Sequence, residues 1–440
     1  MQPPEWNEEE ERRKHTRSPS EAEMLEDYTR SDLVEKKTVI VMIGLPATGK
    51  SYISKMLHRY LNWKGFKTEV FNAGDYRRTS GYTGEKSSFF DPKNKEAMEL
   101  RTKFAMLALD ALMAFLLHGG DVGLFDATNS NVERRSYITR RCAYAGFRVL
   151  FLESICDDEE LIQKNCEMKL NSPDYKNKSR DEALADFHMR LENYKKNYQP
   201  LDKKRDKDQS YIRLFNVGEY VIANRCNGVL ESDVVSYLLN THLIPRKIWL
   251  CVHGETDFTL KGILGGDPPL NENGVLFSKK LYEFIHERSS AENGNVTIMC
   301  DRSLRVAQTV KPLLDEYNVQ YSTLLRELNG GDYARMTYEE IKTRYPKEYE
   351  KRERNKLEYR YPDGESYIDV KERLSQILIK IVGCRDNVLI VGHVAVIRII
   401  MAYFEDRPIA SIPDLEVKMH TVYELDPTAY CHTAKEYVLL

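Results

Sequence analysis

The chain has 440 residues, 42% of them hydrophobic and 30% charged, with a formal net charge of −3. That balance describes an ordinary soluble protein of two or three domains and excludes any global electrostatic pull toward nucleic acid or anionic membrane, so an anionic ligand must be met by local clusters. Eight cysteines with no CxxC pair and no metal-ligand spacing point to free thiols and no zinc site.

In chain order, residues 1–36 are rich in Glu, Arg and Lys and predict a disordered charged tail. Within it, Arg12-Arg13-Lys14-His15-Thr16-Arg17 precedes Ser18 and Ser20, a basic context suited to phosphorylation, although a merely solvated tail explains the same residues. The charged N-terminus does not resemble a signal peptide, and the longest apolar run, Phe104 to Leu117, is short and broken by Asp110. A cytoplasmic protein is expected.

Thr38-Val39-Ile40-Val41-Met42-Ile43 reads as a buried parallel strand. It runs into Gly44-Leu45-Pro46-Ala47-Thr48-Gly49-Lys50-Ser51, which has the G-x-x-x-x-G-K-[S/T] spacing of a phosphate-binding loop. Ile53, Met56, Leu57, Tyr60 and Leu61 then recur at helical spacing. In such a loop, backbone N–H groups and the helix N-terminus face phosphate oxygens, Lys50 reaches the β- and γ-phosphates, and Ser51 serves Mg²⁺. Nucleotide binding is the functional reading, against a structural glycine turn.

Candidate strands at 68–72, 121–125, 147–152 and 211–216 alternate with helical stretches at 95–117, 133–144, 158–168, 180–197 and 231–240. Such alternation means a parallel sheet with helices on both faces. The segment Gln199 to Ser210 is a solvated loop within this region. Asp126, ending a buried strand, is placed to hold the magnesium shell or the incoming nucleophile, and needs Lys50, Mg²⁺ or a substrate hydroxyl beside it. Arg77, Arg78, Arg101, Arg134, Arg135, Lys169 and Arg190 fall where loops should rim the sheet and suggest a second phosphate clamped by guanidinium groups. The residues alone thus predict a kinase acting on a small phosphorylated metabolite.

Pro245 closes a connection, and Lys247 to Val252 opens a second α/β pattern with strands at Val296–Cys300 and Val388–Val391. His253 and His393 each follow a strand, His253 with a glycine after it and His393 with one before it. With Arg305 and Glu327 between them, they look like the histidine phosphatase fold, in which one imidazole attacks phosphorus and a carboxylic acid protonates the leaving oxygen.

Gly44 to Tyr52, Asp126-Ala127-Thr128-Asn129, Cys156-Asp157-Asp158, Ser172-Pro173-Asp174-Tyr175-Lys176 and Tyr198-Gln199-Pro200-Leu201 together resemble the 6-phosphofructo-2-kinase/fructose-2,6-bisphosphatase family, from about residue 30 to the C-terminus. The resemblance implies an α/β architecture: a charged tail (1–36), a P-loop kinase domain (37–245), and a histidine phosphatase-like, phosphoglycerate mutase-like α/β domain (246–440). It implies transfer of the ATP γ-phosphoryl to the 2-hydroxyl of fructose 6-phosphate with Mg²⁺, and a homodimer without nucleic-acid or membrane partners. By resemblance the ATP site comprises Gly44 to Tyr52 with Asn165 and Lys169. The fructose 6-phosphate site comprises Arg77, Arg101, Thr128, Arg134, Lys169, Arg190 and Tyr194, and Asp126 and Cys156 occupy catalytic positions. In the second half, the resemblance makes His253 the nucleophile, Glu327 the proton donor and His393 a charge stabiliser. Gly265, Arg305, Tyr338, Arg352, Lys356, Tyr367 and Arg398 would contact fructose 2,6-bisphosphate.

The second half departs from the family pattern. Val252 stands where the family has arginine before the nucleophile, Thr259 where it has asparagine, Ile263 where it has arginine, Val306 where it has threonine and Val394 where it has glutamine. A lost charged hydrogen bond costs about 1.5–3 kcal/mol, or roughly ten- to more than a hundredfold in rate, so a weak or absent bisphosphatase is expected. A fully bifunctional enzyme, with Arg352, Lys356 or Arg398 replacing the missing guanidinium, and a non-catalytic ligand-binding protein are the alternatives.

Overall fold

The computed structural model describes residues 36–170, 173–175, 178–242, 244, 246–292, 294–425, 427 and 434–440, without the side chains of 164, 168, 169, 291 and 292. The tail with Ser18 and Ser20, Pro245, Ser172, Lys176 and the side chain of Lys169 therefore lie outside the described residues.

The chain forms two α/β domains. The first is built on β1 (Thr38–Ile43), β2 (Thr68–Asn72), β3 (Val122–Asp126), β4 (Arg148–Ile155), β5 (Ser210–Phe215) and β6 (Tyr220–Asn224), in the order β2-β3-β1-β4-β5-β6. All neighbours are parallel except the β5–β6 pair. Its helices are α1 (Lys50–Trp63), α2 (Ala73–Thr79), α3 (Lys95–Leu117), α4 (Val132–Tyr144), α5 (Glu159–Leu170), α6 (Arg180–Lys195) and α7 (Val229–Leu239). All six residues of β1 are buried, as its β-branched run requires of a central strand. Alternation sorts them by face. Ile40 and Met42 pack with Ile53, Met56 and Leu57 of α1, whereas Val39, Val41 and Ile43 pack with Ala105, Ala108, Leu109 and Leu112 of α3.

The second domain has β7 (Ile248–Val252), β8 (Val296–Cys300), β9 (Asn318–Tyr321), β10 (Asn387–Gly392), β11 (Thr421–Leu425) and β12 (Lys435–Val438), ordered β12-β11-β7-β10-β8-β9. The four strands from β7 to β9 in that order are parallel, and β11 and β12 join antiparallel. Around them lie α8 (Asp257–Lys261), α9 (Glu272–Glu292), α10 (Leu304–Val310), α11 (Tyr338–Arg344), α12 (Pro346–Arg354), α13 (Tyr367–Gly383) and α14 (Val394–Phe404). Trp249 and Cys251 face Phe277 and Leu281 of α9, while Leu250 and Val252 face the cluster that includes α13 and α14.

That last cluster is continuous with the core of the first domain. Tyr237 of α7 stacks on Tyr60 of α1 at 4.2 Å between centroids, and its hydroxyl lies 3.2 Å from that of Tyr403 on α14. Trp63 meets Tyr403 edge-on at 5.5 Å. The two helices that begin at the phosphate loop and just after His393 thus share a buried aromatic seam.

Every predicted strand is present. The four strands that sequence periodicity did not predict are β6, β9, β11 and β12. Strands β6, β9 and β12 are sheet edges of only five, four and four residues, each with exposed positions. β11 is buried but carries Glu424, whose charge broke the apolar run and whose Oε2 accepts a hydrogen bond from Trp249 Nε1 at 3.2 Å.

Candidate active sites

In an open α/β sheet, ligands bind outside the carboxyl ends of the parallel strands, and the predicted site residues gather there. The loop after β1 turns on Gly44 (φ +144), where a Cβ would lie 2.5 Å from the Ser154 carbonyl oxygen, so only glycine fits. Gly49 (φ +87) is the N-cap of α1. Asn165 of α5 donates to the Ala47 carbonyl at 2.8 Å and Thr48 Oγ1 to that of Leu45 at 2.9 Å, which braces the loop. The Lys50 ammonium donates to the Leu45 carbonyl.

A cavity of about 640 Å³ opens from this loop. It is lined by Pro46, Ala47, Gly49, Lys50, Ser51 and Tyr52 of the loop region, by Asp126 and Thr128, and by Arg77, Arg101, Arg134, Arg190 and Tyr194. Asp126 is buried at the end of β3, and its Oδ2 accepts from Asn72 Nδ2 at 2.5 Å. Beyond the partners expected of it, Lys50, a metal or a hydroxyl, the neighbouring strand supplies this amide.

The guanidinium clamp is organised by two residues to which sequence reasoning gave no role. Phe90, on a short 3₁₀ turn, lies under Arg190 (3.7 Å from ring centroid to Cζ), with Arg77 and Arg101 each 5.9 Å away. Asp174 accepts from Arg77 Nη2 and, at 3.3 Å, from Arg78 Nη1. Burial alone would raise the Asp174 pKa, but hydrogen bonding and charge from Arg77, with the Gly84 amide and Arg190, hold it below the usual range. Burial lowers the Arg134 pKa, which Arg101 reinforces against the opposing effect of Tyr194. The buried Arg190 Nε makes no hydrogen bond to any described residue. The sequence held one signal for Asp174, its place in the quoted Pro173-Asp174-Tyr175 stretch, and none for Phe90.

Gly44, Leu45 and Thr48 shape the loop from behind the cavity lining. Cys156 is not among the lining residues: its Sγ lies 3.8 Å from the Asp158 carbonyl oxygen, and burial pushes its pKa up, keeping a neutral thiol.

At the second sheet, His253 follows β7, His393 follows β10 and Asp301 follows β8. The two imidazole centroids are 5.3 Å apart. His253 Nδ1 lies 2.8 Å from the Gly254 carbonyl, an acceptor only, so Nδ1 carries the proton and Nε2 keeps its lone pair. Burial, reinforced by His393 and Arg305, pushes the His253 pKa down to about 3. Arg305 donates to Glu327, to the Gly266 carbonyl at 2.5 Å and to His393 Nδ1 at 3.2 Å. His393 therefore turns Nε2–H toward Asp301 Oδ1, 3.4 Å away in ion-pair range.

Farther out, Arg352 Nε donates to Tyr361 Oη at 2.9 Å and its Cζ lies 4.3 Å from the Tyr338 ring centroid; Arg398 Nη1 donates to Tyr367 Oη at 2.9 Å. Arg398, Tyr338 and Arg352 all act electrostatically on Tyr367, so these four form one cluster. Lys356 pairs with Asp414 at 3.2 Å, and Gly265 (φ +66) precedes Gly266 in the loop that meets Arg305.

Val252 and Val306 are buried in separate apolar clusters, and Thr259 Oγ1 is taken up in capping α8 with Thr256. Ile263 forms an isolated antiparallel bridge with Thr337, and Val394 opens α14 directly after His393, its N-cap.

Family models for "6-phosphofructo-2-kinase" and "Histidine phosphatase superfamily (branch 1)" match residues 26–245 and 248–439. The chain is 41% identical to a Caenorhabditis elegans 6-phosphofructo-2-kinase/fructose-2,6-bisphosphatase over 92% of its own length and 90% of the relative's. It is 42% identical to 6-phosphofructo-2-kinase/fructose-2,6-bisphosphatase 4 of Rattus norvegicus, over 89% and 83%. Among solved structures, the alpha-ribazole phosphatase from Shigella flexneri covers 40% of this chain and 89% of its own, at 20% identity and a TM-score of 0.37. With the phosphate loop, the arginine clamp and the paired histidines in place, the chain belongs to the 6-phosphofructo-2-kinase/fructose-2,6-bisphosphatase family.

Proposed function

We propose that the first domain transfers the γ-phosphoryl group of ATP to the 2-hydroxyl of fructose 6-phosphate, making fructose 2,6-bisphosphate, and that the second domain hydrolyses that product slowly or not at all. The observation that carries the kinase reading is the one cavity lined both by Lys50 and Ser51 of the phosphate loop and by Arg77, Arg101, Arg134 and Arg190. A triphosphate at one end and a sugar phosphate at the other are brought into line, and phosphoryl transfer depends chiefly on such alignment and charge neutralisation.

Asp126, aimed by Asn72, accepts the proton of the attacking hydroxyl or orients it, and Lys50 follows charge as it moves toward the leaving oxygen. Mg²⁺ fits the donor set: the Ser51 hydroxyl and the Asp126 carboxylate are hard oxygen ligands lining the same cavity and would hold it. When bound, it supplies charge neutralisation on the phosphate oxygens. Cys156, outside the lining, acts at most indirectly.

For the second domain, the tautomer of His253 suits nucleophilic attack through Nε2, yet the ground beside it is poor in donors. Val252 is buried among apolar side chains, and Arg305 is engaged with Glu327. The missing donors are expected to cost at least a hundredfold in turnover. Purified protein given ATP, Mg²⁺ and fructose 6-phosphate should accumulate fructose 2,6-bisphosphate without matching phosphate release. Lys50→Met should abolish product; a variant keeping most of its turnover would refute the kinase assignment.

A further inference from the structure

Among the described residues, two carboxylates and one guanidinium lie close to the His393 imidazole. Asp301 Oδ1 lies 3.4 Å from His393 Nε2, Glu327 Oε2 lies 3.8 Å from His393 Nδ1, and Arg305 is the cation between them. The two Arg305 Nη groups are taken up by Glu327, the Gly266 carbonyl and His393 Nδ1, while its buried Nε has no hydrogen-bond partner among the described residues. Because a guanidinium can only donate, His393 Nδ1 accepts from Arg305, and Nε2–H of His393 faces Asp301. Arg373 feels Asp301 electrostatically but is bound to Glu365 at 3.1 Å.

Asp301 itself is buried and fixed. Ser303 Oγ donates to its Oδ1, the oxygen that also faces His393, at 3.0 Å and the Ser303 amide to its Oδ2 at 3.3 Å, so the carboxylate is held at the end of β8. Burial would raise its pKa, but these hydrogen bonds and His393 together lower it, and it is ionised at neutral pH. Its charge also reaches His253.

We propose that Asp301 is a phosphate-excluding residue: its carboxylate, set against His393, whose ring centroid lies 5.3 Å from that of His253, makes the second site reject a phosphoryl group where the nucleophile would attack. This rests on the reading of the second domain as a damaged phosphatase and deepens it. The defect is then repulsion by a charge that is present, in addition to the loss of donors at positions such as Val252. A phosphate dianion approaching His253 meets a fixed negative charge in a water-poor pocket, where like charges repel far more strongly than in solvent. Neutralising that charge should raise anion affinity by about tenfold or more.

The test uses the full chain and orthovanadate as the phosphate probe, with binding measured by titration calorimetry for the unaltered protein, Asp301→Asn and Asp301→Ser. Pairing each with His253→Ala isolates the second site from vanadate bound at the phosphate loop, and circular dichroism confirms folding. The proposal expects both Asp301 variants to gain a His253-dependent site about tenfold tighter than any in the unaltered chain. Unchanged or weaker affinity in the folded variants would overturn it, and would mean that Asp301 serves to orient His393. If the unaltered protein bound vanadate tightly through His253 and hydrolysed fructose 2,6-bisphosphate rapidly, both this inference and the damaged-phosphatase reading would fall. Slow hydrolysis with no gain on Asp301→Asn would sink this inference alone.

Discussion

Asn72 does two jobs with one side chain. Its Nδ2 donates to Asp126, while its Oδ1 caps α2 by accepting from the Gly74 and Asp75 amides at 2.7 and 3.3 Å. Asn72→Ala should therefore lower kcat about ten- to a hundredfold through misdirection of Asp126, and cost about 1 kcal/mol of stability through the lost cap. Asn72→Asp keeps the cap but sets a like charge against Asp126, so steady-state kinetics should show a similar loss of kcat with the cap contribution retained. Equal activity in both variants and the parent would show that Asp126 needs no such support.

His253 makes a pH prediction at the same scale. Its folded pKa, about 3, lies below the 6.5 of an exposed histidine, so the unfolded chain binds the extra proton as pH falls through 6.5. Stability is therefore retained above that value and lost below it, by up to about 2 kcal/mol at pH 5. Thermal melts from pH 7.5 to 5 should fall in Tm, and His253→Asn should flatten the slope; an unchanged slope would show that His253 is accessible to protons in the folded state.

At the level of elements, α1 and α14 connect the two sites to one seam, since α1 starts at Lys50 and α14 follows His393. Tyr403 is buried there among Trp63, Tyr237 and the Arg59 guanidinium, 5.9 Å from its ring. Tyr403→Ala should cost about 3–5 kcal/mol by opening a cavity, and calorimetry should resolve one transition in the parent and two in the variant. Two well-separated transitions in the parent would show that the seam does not couple the domains.

Element legibility followed the same physics. β1 and β10 were readable because burial on both faces demands a continuous apolar run. β6 and β12 were not, because an edge strand is specified by its neighbour's hydrogen bonds and not by its own side chains. In the sites, glycines, Lys50, the clamp arginines and both histidines stood out because their chemistry is carried in the residue type and spacing. Phe90 and Asp301 did not: a phenylalanine under three guanidinium groups reads as core, and Asp301, unlike Asp126, has no phosphate-loop lysine in its own domain to give a strand-end carboxylate a role, until folding brings His393 from 92 residues onward against it.

Over the whole molecule, a net charge of −3 conceals a different charge arrangement in the two halves. The first domain concentrates guanidinium groups around one cavity, and the second sets carboxylates against its paired histidines. On the function proposed above, the two folds keep their architecture while their capacity for phosphate diverges, which is a property of sites and not of folds. The central claim is that one pocket in the first domain holds the terminal phosphate of ATP and a sugar phosphate together. The most direct measurement is a crystal structure of the full chain soaked with a non-hydrolysable ATP analogue, Mg²⁺ and fructose 6-phosphate. The expected result is the γ-phosphate at Lys50 and Ser51, the 6-phosphate among Arg77, Arg101, Arg134 and Arg190, and the sugar 2-hydroxyl facing Asp126. Either ligand bound elsewhere, or the sugar turned with its 2-hydroxyl away from the nucleotide, would contradict it.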